Sequence, residues 1–262
     1  IKKEPLLHSI QAYFKYLIAS KNQYGVHSPF LFDYLTKGLM QDQLIPIDKA
    51  VLFRKNVRSD RREIQVTDFG AGSKIFKDGH RQISKIAATA GMTSKRGTLL
   101  AKTTSYFKPK NILEIGTSLG ISTAFMHVGA PNAKITTLEG CPSTATIAKE
   151  YFDNCDFKNI EVVTGEFNST LDGVLKNKNY DLIFFDGNHQ KQPTLDYFKK
   201  CLTAAHESSV FIFDDIHWSK EMESAWEEIK NHPKVTLTAD TFKWGLVFFS
   251  KGREKQHFTL RI

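Results

Sequence analysis

The sequence has few cysteines and no apolar run long enough to cross a bilayer. Its three cysteines are Cys141, Cys155 and Cys201, and no two of them have C-x-x-C spacing. An odd count without that spacing argues against a disulfide scaffold and against a zinc module. Apolar clusters such as residues 182–185 fall far short of the ~18 residues of a transmembrane helix. We recognise no secretory signal and expect a cytoplasmic protein that does not enter a membrane.

Glycine and proline are also too scarce for a fibrous or low-complexity chain. There are 16 glycines and 8 prolines in 262 residues. We find no internal repeat with a period of roughly 20 to 50 residues. Hydrophobic residues make up 41% and charged residues 24%, which is typical of a folded protein. The length exceeds one domain of ~150 residues and falls short of two.

Positive charge is concentrated in the first third of the chain. Residues 1–95 contain 16 Lys and Arg against 8 Asp and Glu, whereas residues 96–262 contain 20 of each. The net charge of +8 therefore belongs entirely to residues 1–95. Such an excess could bind nucleic acid or another polyanion. Because the basic residues are scattered rather than grouped, we favour a solvated helical surface.

Residues 96–262 alternate between short apolar segments and amphipathic segments, which predicts strands buried by crossover helices. The apolar segments are residues 111–115, 134–138, 160–163, 181–185 and 210–213. A last pair, 235–237 and 244–249, is joined by a link too short for a crossover helix and should be antiparallel. We predict a doubly wound, Rossmann-like α/β domain with a seven-stranded sheet whose last strand is antiparallel.

Residues 1–95 lack this alternation and are predicted to form a mainly helical, basic extension that covers the sheet as a lid. The predicted helices span residues 6–19, 29–40, 48–58 and 81–90, with a short strand at 64–67. Ser28 followed by Pro29 has the pattern of a helix N-cap and first turn. We therefore interpret His27, Ser28 and Pro29 as a helix start rather than as a catalytic His/Ser pair.

Two Gly-rich loops compete as a nucleotide site, one at residues 66–73 and one at residues 112–122. A nucleotide-binding loop needs a following helix and then a strand that ends in an acidic residue. Only the second loop has this context, because a helix and the strand 134–138 follow it and lead to Glu139. We interpret residues 68–73 as a turn.

The spacing of the second loop favours a ligand without phosphate. Gly116 and Gly120 are separated by three residues, which is not G-x-G-x-x-G, and no G-x-x-x-x-G-K-[ST] motif occurs. The helix after Gly120 would favour a single carboxylate at its N-terminus. Glu139 could accept hydrogen bonds from both hydroxyls of a ribose. A carboxylate combined with a ribose suggests S-adenosylmethionine.

These motifs resemble those of class I S-adenosylmethionine-dependent methyltransferases, over about residues 92–250. The resemblance implies a set of cofactor-binding residues. They are Glu114, Gly116, Ser118, Gly120, Ser122, Glu139, Gly140 and Asp186, with Glu166 near the adenine.

Within that class the sequence is most similar to the metal-dependent catechol and caffeoyl-CoA O-methyltransferases. The run Arg96–Thr98, ahead of the Gly-rich loop, matches their basic residue and glycine. Asp186 matches their first metal ligand, and Asp214 with Asp215 falls where they carry Asp-Asn. The resemblance therefore implies Mg²⁺ or another divalent cation held by Asp186, Asp214 and Asp215. As an alternative, Asp214 and Asp215 could cap the next helix or hold water.

Two positions depart from the pattern of that family. Asp215 replaces Asn, and His189 stands where the family has a catalytic Lys. A neutral His can accept a proton near pH 7 more readily than an unperturbed Lys. We therefore predict His189 and Asp186 as catalytic residues.

The prediction is an S-adenosylmethionine-dependent methyltransferase that methylates an oxygen of a small molecule. A second interpretation is an RNA methyltransferase that uses the basic segment, although Asp186–His189 is not the N/D-P-P-Y/F motif of amino-group methylation. A third is a non-catalytic S-adenosylmethionine-binding module that recruits a partner. The sequence leaves a homodimer open and does not name the acceptor.

Overall fold

The computed structural model describes residues 4–42, 44–67, 79–251 and 254–262. The loop at residues 68–73, interpreted above as a turn, lies outside these residues. Among the described helices, none is both long and apolar enough to span a membrane.

The described part of the chain forms a central sheet and a small two-stranded sheet. The strands are β1 Glu63–Gln65, β2 His80–Gln82, β3 Asn111–Ile115, β4 Lys134–Glu139, β5 Ile160–Thr164, β6 Leu182–Phe185, β7 Val210–Asp214, β8 Leu237–Asp240, β9 Trp244–Phe248 and β10 Gln256–Thr259. β1 pairs with β2, and the central sheet has the order β10-β8-β9-β7-β6-β3-β4-β5. β9 is antiparallel to β7 and β8, and the other pairs of this sheet are parallel.

Helices cover both faces of the central sheet. They are α1 Glu4–Ala19, α2 Pro29–Asp33, α3 Ile47–Ser59, α4 Ile83–Thr89, α5 Ser94–Phe107, α6 Ile121–Gly129, α7 Pro142–Asn154, α8 Phe167–Leu175, α9 Lys191–Cys201 and α10 Lys220–Asn231, with a π-helical segment, Tyr34–Met40, after α2. Every residue of β6, β7 and β9 is buried, because each of these central strands lies under helices on both sides. The Ser28 side chain caps α2, as the sequence predicts.

The predicted doubly wound α/β fold is confirmed, with one strand more than the sequence indicated. β10 adds an eighth strand, parallel to β8 at the edge of the sheet. Its first two residues, Gln256 and His257, are exposed, so no apolar run marks the strand. A second difference concerns the predicted helix 81–90, which begins at Ile83 because β2 occupies the residues before it.

The N-terminal helices share a hydrophobic core with the sheet domain. Phe53 of α3 is fully buried and stacks on Phe152 of α7, with ring centroids 5.6 Å apart. Ile83 of α4 belongs to the same buried cluster. In the π-helical segment, the Tyr34 hydroxyl lies 2.8 Å from Thr103 Oγ1 of α5. The division into residues 1–95 and 96–262, and the lid, stay predictions.

Hydrogen bonds join the two ends of the described chain beside β10, at the edge of the central sheet. The Tyr16 hydroxyl donates a hydrogen bond of 2.6 Å to the Leu260 carbonyl. The backbone N–H of Lys21 donates to the Thr259 carbonyl, and Arg261 Nη2 donates to the Leu17 carbonyl. We call this set of contacts, from α1 to residues 259–261, the terminal clasp.

Candidate active site

The loop between β3 and α6 has a left-handed backbone that brings it close to the end of β6. Gly116 has φ +107° and Gly120 has φ +78°. A Cβ atom on Gly116 would lie 2.4 Å from the Asp186 carbonyl oxygen, and one on Gly120 would meet the Phe152 ring. Both glycines are therefore required by backbone conformation and by space.

Gly116→Ala should destabilise the protein and weaken cofactor binding, because the added methyl pushes the loop away from Asp186. Strain and overpacking together should cost on the order of 3 kcal/mol in unfolding free energy. Urea unfolding measures this cost. Gly173→Ala in α8 is the matched control, since a Cβ there meets no described atom within 4 Å. Equal stabilities for the two variants would contradict the interpretation.

Glu139, at the end of β4, is fixed beside this loop by backbone donors. The Ser118 N–H donates to its Oε2 at 2.8 Å, and the Cys141 N–H donates to its Oε1 at 2.9 Å. Burial raises the pKa of Glu139, and the N–H groups of Cys141, Ser118 and Gly140 oppose that rise. The carboxylate is thus held in one orientation while each oxygen keeps a further lone pair for a ligand.

Glu114 lies inside the domain beneath the loop. Its carboxylate accepts hydrogen bonds from the hydroxyls of Ser122, Thr123 and Thr137, and its exposure is 0%. Burial raises the pKa of Glu114 to about 7, although the three hydroxyls act in the opposite direction. This carboxyl group therefore supports the loop and the start of α6 from within.

A shallow cleft opens beside the loop. One wall consists of loop residues, including Ser118 and Ser122, together with Asp186. The other wall consists of Ala87 of α4 and the three residues Ala90, Gly91 and Met92 after it. The N-terminal portion of the chain therefore builds part of this cleft.

Three carboxylates lie at the carboxyl ends of β6 and β7, and we call Asp186, Asp214 and Asp215 the carboxylate cluster. An ion pair joins Asp214 to the Arg96 guanidinium from the first turn of α5. Lys243 Nζ lies 3.5 Å from Asp215 Oδ1. The cluster therefore faces two side-chain cations that the protein itself supplies.

Burial and mutual repulsion shift the ionisation of the cluster. Burial raises the pKa of Asp186 well above its usual range, and the charge of Asp214 raises it further. Burial and Asp214 also raise the pKa of Asp215, against the lowering effect of His189, Lys243 and Arg96. Burial tends to lower the pKa of Arg96, but the neighbouring carboxylates outweigh it and raise that pKa.

His189 reaches this cluster from the loop after β6. Its Nε2 lies 3.8 Å from Asp186 Oδ1. Asn188 and His189 have φ of +71° and +46°, a left-handed conformation that non-glycine residues rarely adopt. Such backbone is concentrated at functional sites, where surrounding structure holds it in place. His189 and Asp214 also line a second, shallow cleft.

The model of a protein family described as O-methyltransferase matches residues 70–238, which is more than half of the chain. The chain belongs to this O-methyltransferase family. Two relatives named catechol O-methyltransferase are each 28% identical to it. The relative from Niastella koreensis aligns over 53% of this chain and 68% of its own length. The relative from Mycobacterium tuberculosis aligns over 52% and 59%.

The fold is also that of solved methyltransferases. A Podospora anserina methyltransferase, solved with S-adenosylhomocysteine bound, superposes with a TM-score of 0.62 at 18% identity. The match covers 86% of this chain and 97% of that structure. The Rossmann-like methyltransferase fold is therefore shared well beyond the residues that the family model matches.

The cofactor-binding residues that the sequence predicts for this O-methyltransferase do not all lie at the cleft. Gly116, Ser118, Gly120, Ser122 and Asp186 lie on or beside the cleft, and Gly140 follows Glu139 in the turn after β4. Glu166 is exposed at the start of α8, near Glu139 through the bond from the Gly165 N–H to the Glu139 carbonyl. The carboxylate oxygens of Glu114 already accept hydrogen bonds from three hydroxyl groups. The cofactor contacts themselves stay predictions.

The predicted metal ligands are brought together, but they do not fit a metal site. Among the described residues, no three His, Cys, Asp or Glu side chains are arranged to hold a metal ion. Asp214, the most buried member of the carboxylate cluster, is ion-paired with Arg96. The sequence pattern contained Arg96 but gave it no role, because a contact across 118 residues is invisible to local patterns. A cation is unfavourable in the first turn of a helix. The position of Arg96, just after the Thr93 N-cap, was therefore the available sign that it has an acidic partner.

Proposed function

We propose that this O-methyltransferase uses S-adenosylmethionine to methylate a hydroxyl group of a small molecule, with His189 accepting the hydroxyl proton. The observation that carries the proposal is the position of Asp186. It lines the same cleft as Met92, and its Oδ1 also lies 3.8 Å from Nε2 of His189. A proton acceptor is thus placed directly beside the cleft.

The residues on and beside the cleft support S-adenosylmethionine as the cofactor. Glu139 would accept hydrogen bonds from the ribose hydroxyls, and the left-handed loop from Gly116 to Gly120 leaves room for close backbone contact. When bound, S-adenosylmethionine supplies a methyl group on a positively charged sulfur. The protein has to align the acceptor with that methyl group and to remove its proton.

His189 and Asp186 have different roles in the transfer of the proton. His189 is 29% exposed, so its imidazole can reach an acceptor that enters from solvent. Its Nε2 would take the hydroxyl proton, and the negative charge of Asp186, 3.8 Å away, would stabilise the resulting imidazolium. The predicted Mg²⁺ has no part in this proposal, because the donor set described above does not fit a metal.

Glu139→Ala should weaken binding of S-adenosylhomocysteine by ~1–3 kcal/mol, since it removes charged acceptors for the ribose. Isothermal titration calorimetry measures the change. Glu161→Ala is the control, because Glu161 is an exposed carboxylate on the neighbouring strand β5. Unchanged affinity in Glu139→Ala would place the cofactor elsewhere.

Methyl transfer itself is tested with isotope-labelled S-adenosylmethionine. Because the relatives above are named catechol O-methyltransferase, catechol heads a panel of small phenols. Labelled product identifies the acceptor class. A protein that binds the cofactor but labels none of the phenols, sugars or RNAs offered would favour the non-catalytic module.

The RNA interpretation stays a prediction, and the basic N-terminal segment lends it little support. Several of its cations are engaged within the protein. Arg62 pairs with Asp60 and Glu150, and Lys49 Nζ donates to the Asp156 carbonyl. These contacts favour a structural role for the positive charge.

A further inference from the structure

The Arg96 side chain is largely buried beside the carboxylate cluster. Its side chain is only 25% exposed, and that of its partner Asp214 is 6% exposed. The guanidinium carbon lies 5.8 Å from the centre of the Trp244 ring. Among the described residues, none accepts a hydrogen bond from its buried Nε. The group is therefore fixed by its ion pair and by the ring beside it.

We propose that the Arg96 guanidinium is the resident cation of the carboxylate cluster, in the place where a divalent metal would otherwise bind. This inference rests on the proposed function, because it concerns how the same site performs methyl transfer. It implies that the reaction catalysed by this chain needs no metal.

Charge balance supports this assignment. Three carboxylates at neighbouring strand ends repel one another unless a cation or a proton neutralises part of their charge. An Arg guanidinium is always protonated, is weakly hydrated and matches the geometry of carboxylates, so it can stay in a buried site. Lys243, 3.5 Å from Asp215, adds a second positive charge at the outer side. Both cations are covalently part of the protein.

A metal ion at the Asp214 carboxylate would lie beside the guanidinium of Arg96. A bound Mg²⁺ needs oxygen ligands at ~2.0–2.1 Å in near-octahedral geometry. In this structure Asp214 Oδ1 accepts a hydrogen bond from Arg96 Nη2. A metal bound to Asp214 would place a second positive charge directly beside this guanidinium, and their repulsion disfavours binding unless Arg96 moves away. Arg96 is therefore a positioning residue that holds Asp214 in place.

The experiment measures Mn²⁺ binding to the full chain, by equilibrium dialysis and by thermal unfolding, with S-adenosylhomocysteine present. The wild-type protein should bind no Mn²⁺ at the cluster, and millimolar Mn²⁺ should shift its Tm by less than about 1 °C. Arg96→Gln removes the cation and should create a Mn²⁺ site, so its Tm should rise progressively with Mn²⁺ concentration. The double variant R96Q/D214N should lose that rise.

Arg62→Gln is the matched control, since it removes another guanidinium that is ion-paired to carboxylates away from the site. It should gain no Mn²⁺ binding. Arg96→Lys keeps a positive charge and should behave like the wild type. EDTA should leave wild-type methyl transfer unchanged.

Two results would overturn the proposal. One is stoichiometric Mn²⁺ binding by the wild type that Asp214→Asn abolishes. The other is a folded Arg96→Gln variant without any gain of Mn²⁺ binding. Mn²⁺ binding by the wild type would overturn the proposal even if Arg96→Gln does not fold. Because binding is measured directly, a failed search for an acceptor would count against the proposed function and leave this result standing.

Discussion

Replacing His189 with Ala should lower the turnover of methyl transfer by roughly 10²–10⁴-fold while leaving S-adenosylhomocysteine affinity unchanged. The imidazole is the described side chain that combines a proton-accepting nitrogen with a position 3.8 Å from Asp186. Its removal leaves the acceptor hydroxyl without a positioned base, whereas Glu139 and the loop remain intact. Steady-state kinetics with the labelled donor and calorimetry separate the two effects.

The chain offers a close control for this substitution. His206 forms the equivalent His–Asp pair at the amino end of β6, with its Nε2 3.1 Å from Asp181 Oδ1. His206→Ala should therefore leave turnover within about twofold of the wild type. His189→Asn is a second test, because Asn tolerates the left-handed backbone at this position. Full activity in both His189 variants would remove the imidazole from the mechanism.

A chain that starts at residue 92 should fail to fold. It would lack Phe53, Leu31 and Ile83, which have 0% exposure and pack into the core of the sheet domain. Burial of each such side chain is worth about 1.5–3 kcal/mol, and a whole domain is stable by only about 5–15 kcal/mol. The truncation also removes Ala87, Ala90 and Gly91, which line the cleft.

Circular dichroism, thermal unfolding and gel filtration test this expectation. A chain that starts at residue 22 is the comparison, since Ala12 and Tyr16 are the buried hydrophobic residues that it loses from the described side chains of α1. That shorter deletion should fold with a lowered Tm. If the chain from residue 92 unfolds cooperatively and binds S-adenosylhomocysteine, the N-terminal helices are a separate lid after all.

The sequence predicts best what depends on local patterns. β6 and β7 are continuous apolar runs, and Glu139 follows a strand at the distance that a nucleotide-binding loop requires. The structure confirms the strands and places Glu139 beside the loop. The family resemblance is confirmed as well. Periodicity and spacing suffice for these features because each arises within about 30 residues.

The features that the sequence missed depend on contacts between distant segments. β10 pairs only because β8 offers a free edge, and its own residues carry no strand pattern. The hydrogen bond from the Thr137 hydroxyl to Glu114 forms only when β3 and β4 pair in the observed register. The ion pair of Arg96 and Asp214 joins two elements 118 residues apart. None of these pairings leaves a trace in local composition.

The terminal clasp has a consequence for the order in which the molecule assembles and opens. The Tyr16 hydroxyl and the Leu260 carbonyl are 244 residues apart in sequence. Closing so long a loop is entropically costly until the intervening sheet has formed, so these contacts come last in folding. They also lie at the edge of the sheet beside β10, whose residues are exposed or half-buried, which makes them the first to separate when the native protein fluctuates. Amide hydrogens at Lys21 and Arg261 should therefore exchange through local opening, long before those of β6, and an edge strand would be transiently uncovered each time.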